Sequence, residues 1–364
     1  MLAIEILTDL EDFKALKEEW NRLAAEAGLS VFQTWQWSWH WWQENRKGKK
    51  LLIIAARDAS RLVALAPLYF TSTFFALPLK VVSFIGTEST DYLDVIAATA
   101  RDDAVSAIFK ELFSLSMWDA VDLHQVPQSS GTCEIVRQLA VADNLTGEVL
   151  AQDTSYARAL DSTWEVFLAG LSKKFRTNVQ YYRRRLERDY NLVIRQSDCA
   201  SVTEDMRLFF KLHKKRFLDK KKPGAYLNPK FRRFHSELAR DLCESGWLRL
   251  YILEVDAKPI AALYAFAFGG SFYYYLGGFE PDWGRLSVST VLIAQSIEDA
   301  IGQGLARYDF LRGDEPYKQK WGAVASGNRR VIIGRTGKKS GVVKKMLAIE
   351  NDVSKQAKEI MQKS

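Results

Sequence analysis

The feature that most constrains this chain is a repeated apolar hairpin. Asp58-Ala59-x-x-Leu62-x-Ala64-Leu65 recurs as Asp256-Ala257-x-x-Ile260-x-Ala262-Leu263, at an offset of 198 residues. In each copy one apolar run leads into the Asp-Ala pair and another leaves it, the pattern of two strands joined by a tight turn. The order around each copy also matches: helix, hairpin, strand, loop, helix, strand. Self-similarity of this kind predicts two related domains; two unrelated apolar hairpins are the competing reading, because Ala and Leu are common. With 364 residues the chain has room for two cores. At 48% hydrophobic and 12% aromatic it is not a disordered chain.

Capping and periodicity place the elements. Thr8-Asp9-Leu10-Glu11 reads as a capping box opening a helix with Leu10, Phe13, Leu16, Trp20 and Leu23 on one side, ending near Gly28. A helix over 35–45, strands over 51–56, 62–70 and 81–85, a helix over 102–115, a strand over 120–124 and a short helix over 135–142 follow. Residues 151–161 read as a junction. Ser162-Thr163-Trp164-Glu165 then opens one long basic helix to about Asp189. Beyond it the pattern predicts strand 192–195, helices 202–218 and 229–244, strands 247–255, 259–268 and 271–277, helix 289–303, and strands 306–311 and 329–335. The expected division is 1–155, 156–340 and a terminal helix over 341–364. Leu62 to Leu79 is long enough to span a membrane, but Pro67, Pro78 and Thr71-Ser72-Thr73 favour two strands.

Charge is unevenly spread. Residues 1–150 carry 13 Lys/Arg against 20 Asp/Glu, whereas residues 171–222 carry 16 against 6, more than the net +7 of the whole chain. That stretch attracts an anionic partner or forms a solvated basic helix face. No helix-turn-helix, zinc-finger or RNA-recognition pattern accompanies it, which argues against sequence-specific nucleic-acid binding. Cys133, Cys199 and Cys243, few and far apart, predict no disulfide framework, and the start of the sequence resembles no secretory signal; a cytoplasmic protein is expected. The four histidines, 40, 124, 213 and 235, stand apart from one another and from the cysteines, so no metal site is expected.

Two segments carry candidate chemistry. Gly277 to Ser289 is a loop feeding a helix N-terminus, where free amides and the helix dipole favour an anion; a plain serine N-cap explains the same residues. Tyr308 to Gly322 ends an apolar strand in a dense set of ionisable groups, in which Asp309 and Arg312 form a site or merely a salt bridge. The Trp run 35, 37, 39, 41 and 42 reads first as helix packing, with Trp35, Trp39 and Trp42 on one face. Phe272-Tyr273-Tyr274-Tyr275 reads as a strand whose phenols line a cleft on one side, and a lone helical His213 reads as structural.

Gly278-Phe279-x-Pro281, the loop entering an apolar helix, Gly304 at its end, Tyr308-Asp309-Phe310-x-x-Gly313 and Tyr317-Lys318-x-x-Trp321-Gly322 together resemble the CelD/BcsL-type acyltransferases of cellulose biosynthesis. These belong to the GNAT superfamily and are relatives of the Fem peptidyltransferases. Thr34-Trp35 to Trp42, Ala64-x-Ala66-Pro67-Leu68, Asp91-Tyr92-Leu93-Asp94 and Ser172-Lys173-Lys174-Phe175-Arg176 fit the same pattern, so the resemblance spans nearly the whole chain. It implies an α/β (α+β) fold of tandem GNAT-like domains, mixed sheets flanked by helices, with an inactive acceptor-side first domain. The implied co-substrate is acetyl-CoA or another acyl-CoA, or aminoacyl-tRNA in the Fem branch. The implied acceptor is a sugar or amine of a glycan or envelope precursor.

On this resemblance Lys318 is the candidate contact to an oxyanion or phosphate, and Asp309 the candidate base or acceptor-orienting carboxylate. Gly284, Arg285, Leu286, Ser287, Val288 and Ser289 would hold the donor, and Arg312, Asp314, Tyr317, Trp321, Lys174, Arg176 and Asp91 the substrates. One departure stands out. GNAT donor loops read Arg/Gln-x-x-Gly-x-Gly/Ala, where glycine lets the backbone approach a pyrophosphate; here the segment has one glycine and two serines, whose hydroxyls would stand in. A catalytically inert adaptor in polysaccharide assembly is the alternative from another class; the intact Asp309, Arg312 and Lys318 set argues against it.

Overall fold

The computed structural model describes residues 2–73, 78–87, 89–219 and 228–336. The expected terminal helix over 341–364 and the Lys220-Lys221-Lys222 run lie outside the described residues. In chain order the first elements are β1 (Leu2–Leu7), α1 (Leu10–Ala15), α2 (Lys17–Glu26), α3 (Trp35–Asn45), β2 (Lys49–Asp58), β3 (Arg61–Thr73) and β4 (Leu79–Phe84). Next come β5 (Ile96–Ala97), α4 (Asp102–Ser114), β6 (Ala120–Pro127), α5 (Thr132–Ala142), β7 (Thr146–Ala159), α6 (Trp164–Ala169) and α7 (Lys173–Asp189). The remainder is β8 (Leu192–Gln196), α8 (Val202–Asp219), α9 (Pro229–Glu244), β9 (Leu248–Val255), β10 (Lys258–Phe268), β11 (Ser271–Phe279), α10 (Val288–Gly302), β12 (Arg307–Arg312), α11 (Pro316–Lys320) and β13 (Val324–Gly334).

Two compact units form, each from separate stretches of chain. Of the described residues, the first takes those within 2–23, 45–152 and 328–336, and the second those within 24–44 and 153–327. In the first, the strand order is β1-β2-β3-β4-β6-β13, all antiparallel except β4 with β6. In the second it is β7-β12-β11-β10-β9-β8, all antiparallel except β11 with β12. Each unit is thus a three-stranded meander, a helix, and a strand returning parallel to the third, a mixed sheet flanked by helices. The repeated hairpin is present twice, with its turn at Ala59-Ser60 in one copy and at Asp256-Ala257 in the other. Asp256 and Ala257 both adopt positive φ (49° and 60°), as a two-residue hairpin turn requires.

The apolar patterns explain the cores. On α4, Ala104, Val105, Ile108, Phe109, Leu112 and Phe113 form one buried face against β2 and β3. In the second unit α10 buries Val291, Leu292, Ala294 and Ile297 over β9, β10 and β11. The tryptophan helix α3 packs as expected of a helix, but with a broader face: Trp37 and Trp41 are buried as well as Trp35 and Trp42. Trp37 meets Phe234, Phe266 and Tyr275 edge-on within the second unit.

Several local expectations are corrected. The first helix is capped by Asp9, whose carboxylate accepts the Glu11 amide at 2.8 Å, and it breaks into α1 and α2. The long basic helix breaks into α6 and α7 at Gly170-Leu171-Ser172; Thr163 caps the first and Ser172 the second through the Phe175 amide. The segment read as a junction is strand β7, whose half-exposed residues lack the apolar alternation that marks a strand. Cys199 and Cys243 form a disulfide with a Cα–Cα distance of 5.6 Å, because the turn before α8 meets the end of α9. Sequence separation says nothing about that distance, and the cysteine argument for a reducing compartment falls with it. No helix among the described residues is long and apolar enough to cross a membrane.

Candidate active site

The candidate site forms where β11 and β12 part. They run parallel over three rungs, Ser271 to Arg307, Phe272 to Tyr308 and Tyr273 to Asp309. β11 then continues to Phe279 paired with β10, and β12 continues beside β7. A cavity of about 280 Å³ opens there. Its walls are Tyr274 and Phe279 from β11, Gly284 and Ser287 to Thr290 at the start of α10, and Tyr317, Lys320 and Trp321 around α11. Phe175 of α7, Arg216 of α8 and Ile293 of α10 complete the lining.

Ser287 shapes the helix entrance. It sits in the left-handed region (φ 50°) between a 3₁₀ turn (Pro281–Leu286) and α10, and its hydroxyl makes no cap bond. Its carbonyl accepts the Thr290 and Val291 amides at 2.8 and 3.2 Å. The amides of Val288 and Ser289 come before the first α-helical bond, where the helix dipole favours an anion. Arg216 and Lys320 are the cations of the lining, which contains no carboxylate. Burial pushes the phenols of Tyr274 and Tyr317 upward, so both remain neutral O–H groups.

Asp309 and Lys318 lie off the cavity lining, and both hold the same residue. Leu311 has φ 61°, costly for a side chain of its size, at an irregularity in the β12 ladder. The Asp309 carboxylate, fully buried, accepts the Leu311 amide at 2.8 Å and pairs with Arg307 at 2.8 Å. The Lys318 ammonium donates to the carbonyls of Leu311 (3.0 Å), Arg312 (2.5 Å) and Gly313 (3.0 Å) and pairs with Glu315 at 3.0 Å. A buried ammonium requires such a set, because an unpartnered one costs many kcal/mol. Its three N–H donors are committed to the turn that presents α11 to the cavity. Direct contact with an oxyanion would require Lys318 to release one of them.

Of the other expected residues, Gly284, Ser287, Val288, Ser289, Tyr317 and Trp321 are brought together at the cavity. Arg285 is exposed, and Leu286 is buried in the core cluster of the second unit. Arg312 pairs with Asp153 at 3.3 Å, and Asp314 accepts the Tyr156 hydroxyl at 3.3 Å. Lys174 is exposed on the first turn of α7 and Arg176 donates to the Ala169 carbonyl, while Phe175 between them reaches the cavity and meets Trp321 edge-on at 4.9 Å. Asp91 belongs to the first unit, buried, with its backbone carbonyl accepting Asn328 at 2.9 Å. Arg216, Thr290, Ile293 and Lys320 were not read as site residues from the sequence, and Phe175 and Phe279 entered only as motif residues. For Arg216 the only signal was membership of the basic stretch.

Residues 173–319 match the family profile described as an acetyltransferase (GNAT) domain. The match runs from α7 to α11 and takes in every wall of the cavity except Lys320 and Trp321. A GNAT acetyltransferase-type domain therefore occupies this part of the chain. The fold is similar to the crystal structure of FemX, with a TM-score of 0.64 at 13% identity over 90% of this chain and 96% of that one. It is also similar to the C-terminal domain of an Agrobacterium fabrum protein assigned as a lysylphosphatidylglycerol synthetase, with a TM-score of 0.54 at 10% identity over 92% and 95% of the two chains. L-PGS from Bacillus licheniformis gives 0.53 at 12% identity over 96% and 97%. At such identities the likeness is one of fold, and function must be argued from the site. No functionally curated protein matches the sequence.

Proposed function

We propose that the protein is an acyltransferase that loads an activated acyl group into the cavity of the second unit and passes it to an amine or hydroxyl. The carrying observation is the convergence of the α10 N-terminus, Arg216, Lys320 and five hydroxyls on one cavity with no carboxylate in its lining. The nucleophile attacks the acyl carbonyl and a C–N or C–O bond forms. The tetrahedral oxyanion then collapses, the carrier leaves with the electrons of its C–S or C–O bond, and the nucleophile's proton passes to water. Stabilising that oxyanion needs fixed N–H or O–H donors in a water-poor site. The Tyr274, Tyr317 and Ser287 hydroxyls and the first amides of α10 are donors of this kind. Asp309 and Lys318 act as positioning residues, through Leu311.

The carrier is anionic, an acyl-CoA or an aminoacyl-tRNA as the Fem resemblance implies, with its phosphates toward Ser287, Ser289 and Lys320. Lys174, Arg176, Arg312 and Asp314 stand outside the cavity as flanking substrate contacts. In this reading residues 1–155, Asp91 among them, serve acceptor recognition without transfer chemistry of their own, and residues 156–340 carry the transfer. A CelD/BcsL-type role, acylating a sugar or amine of an exopolysaccharide or envelope precursor in the cytoplasm, suits this division.

The test is a discharge assay on the full chain. Release of free thiol from acetyl- and longer acyl-CoAs, and deacylation of bulk aminoacyl-tRNA, are followed with a panel of amino sugars, amines and polyols. Acceptor-dependent discharge of one carrier is expected. Discharge of neither, with the protein folded, contradicts the reading and favours a non-catalytic adaptor.

A further inference from the structure

Arg216 is a cation that walls the cavity without a counter-ion among the described residues. Its Nη1 donates to the Gly277 carbonyl at 2.9 Å, its guanidinium lies 5.4 Å from the centre of the Phe279 ring, and its charge acts on the Tyr274 phenol against the effect of burial. Its Nε is buried and has no hydrogen-bond partner. The acidic residues that flank the lining segments are already committed: Glu280 accepts Lys215 at 2.6 and 2.8 Å, and Glu315 pairs with Lys318 at 3.0 Å. No carboxylate among the described residues pairs with Arg216.

The backbone is built around this placement. A Cβ at Gly278 would fall 2.3 Å from the His213 amide nitrogen, and one at Gly277 would fall 2.7 Å from the Tyr274 hydroxyl. Gly278 lets α8 lie directly on β11, and that contact delivers Arg216 to the cavity. Nε and the neighbouring Nη2 form one edge of a guanidinium, with two parallel N–H bonds spaced like the oxygens of a carboxylate. Phe175, Phe279 and Trp321 line the same cavity with apolar surface, which suits the hydrocarbon part of a small acid.

We propose that Arg216 binds a carboxylate, so that the small molecule held in this cavity, as acyl group or as acceptor, is itself a carboxylic acid such as an amino acid. Calling that molecule a substrate rests on the acyl-transfer reading; its binding does not. Protein labelled with ¹⁵N-arginine gives a direct readout, the Arg216 Nε–H resonance, assigned with Arg216→Lys. Propionate is expected to shift this resonance saturably, while propionamide of the same shape leaves it unmoved and exposed Arg285 answers to neither. An unmoved resonance, an equal response to propionamide, or a response to inorganic phosphate at lower concentration than to propionate would each overturn the assignment. If a carrier is discharged yet propionate has no effect, this inference alone fails. If propionate binds and no carrier is discharged, the transfer reading fails and the carboxylate site stands.

Discussion

Helices α4 and α10 occupy the same place in the two units, each between the third strand of a meander and the strand that returns parallel to it, yet their first turns are opposite in character. α4 begins with Asp102 and Asp103, and Arg101 beside them donates to Asp103 at 2.9 and 3.1 Å and to Asp58 at 3.1 Å. Its positive end is satisfied by the chain's own carboxylates. α10 begins with Val288, Ser289 and Thr290, has no acid in its first turn, follows a left-handed serine that makes no side-chain cap, and lines a cavity. One topology therefore gives a closed helix end in one unit and an open one in the other. The difference lies in a few side chains.

The largest expected effect tests the packing that opens the second unit. Gly278→Ala places a methyl against backbone of α8, so a loss of more than about 4 kcal/mol by denaturant unfolding is expected. Gly131→Ala in the first unit, at an N-cap position with φ −70° and no neighbour closer than 3.8 Å, is expected to cost about 1 kcal/mol or less. Similar costs for the two would show that the α8 contact is not tight. Next in size is Lys318→Met, which strands three carbonyls and releases the turn under α11. A loss of about 3 kcal/mol is expected, with transfer falling alongside stability. Unchanged stability with lost activity would return Lys318 to direct chemistry.

Acidification separates the units by sign. Burial in α8 lowers His213 to about 4, so the unfolded chain takes up the proton first and stability is lost as pH falls below about 6.5. Burial raises Asp94 in the first unit to about 6, against hydrogen bonds from Ser130, Thr132 and the Val95 amide; the folded state binds that proton first, so stability is gained as pH falls through 6. From pH 7 to pH 5 the expected contributions are a loss of about 2 kcal/mol from His213 and a gain of about 1 kcal/mol from Asp94. Hydrogen exchange of α8 and β11 against that of α5 measures both, and His213→Phe should remove its own share of the first, leaving the loss of the same sign from buried His235 on α9. Equal change in the two regions would contradict the assignment.

The repeated hairpin was legible because its turn and apolar runs are local, and the helices because their periodicity is. Strand β7 was not, since its residues are half-exposed and follow neither pattern. Tyr317, Trp321 and the loop around Ser287, all named from the sequence, line one cavity. Asp309 and Lys318 were visible as a charged set, but charge density does not distinguish a group facing substrate from one pinning Leu311. Arg216 is one cation among 16 in its stretch, and only the tertiary approach of α8 to Gly277 and Gly278 selects it. The Cys199–Cys243 bond is of the same kind: contact set by tertiary structure, not by spacing.

The smallest change in stability accompanies the most direct test. Ser289→Asp gives α10 the acidic first turn that α4 already has, and should alter stability by less than about 1 kcal/mol. The measurement is the thermal midpoint with acetyl-CoA, longer acyl-CoAs or aminoacyl-tRNA, for the unmodified protein and for Ser289→Asp. A ligand that binds only the folded state at a hundred times its Kd adds about 2.7 kcal/mol, a clear upward shift. The account predicts that shift with one carrier in the unmodified protein and its loss in the variant. An equal shift in both, or none with any carrier in the unmodified protein, would contradict the claim that the open end of α10 receives the donor.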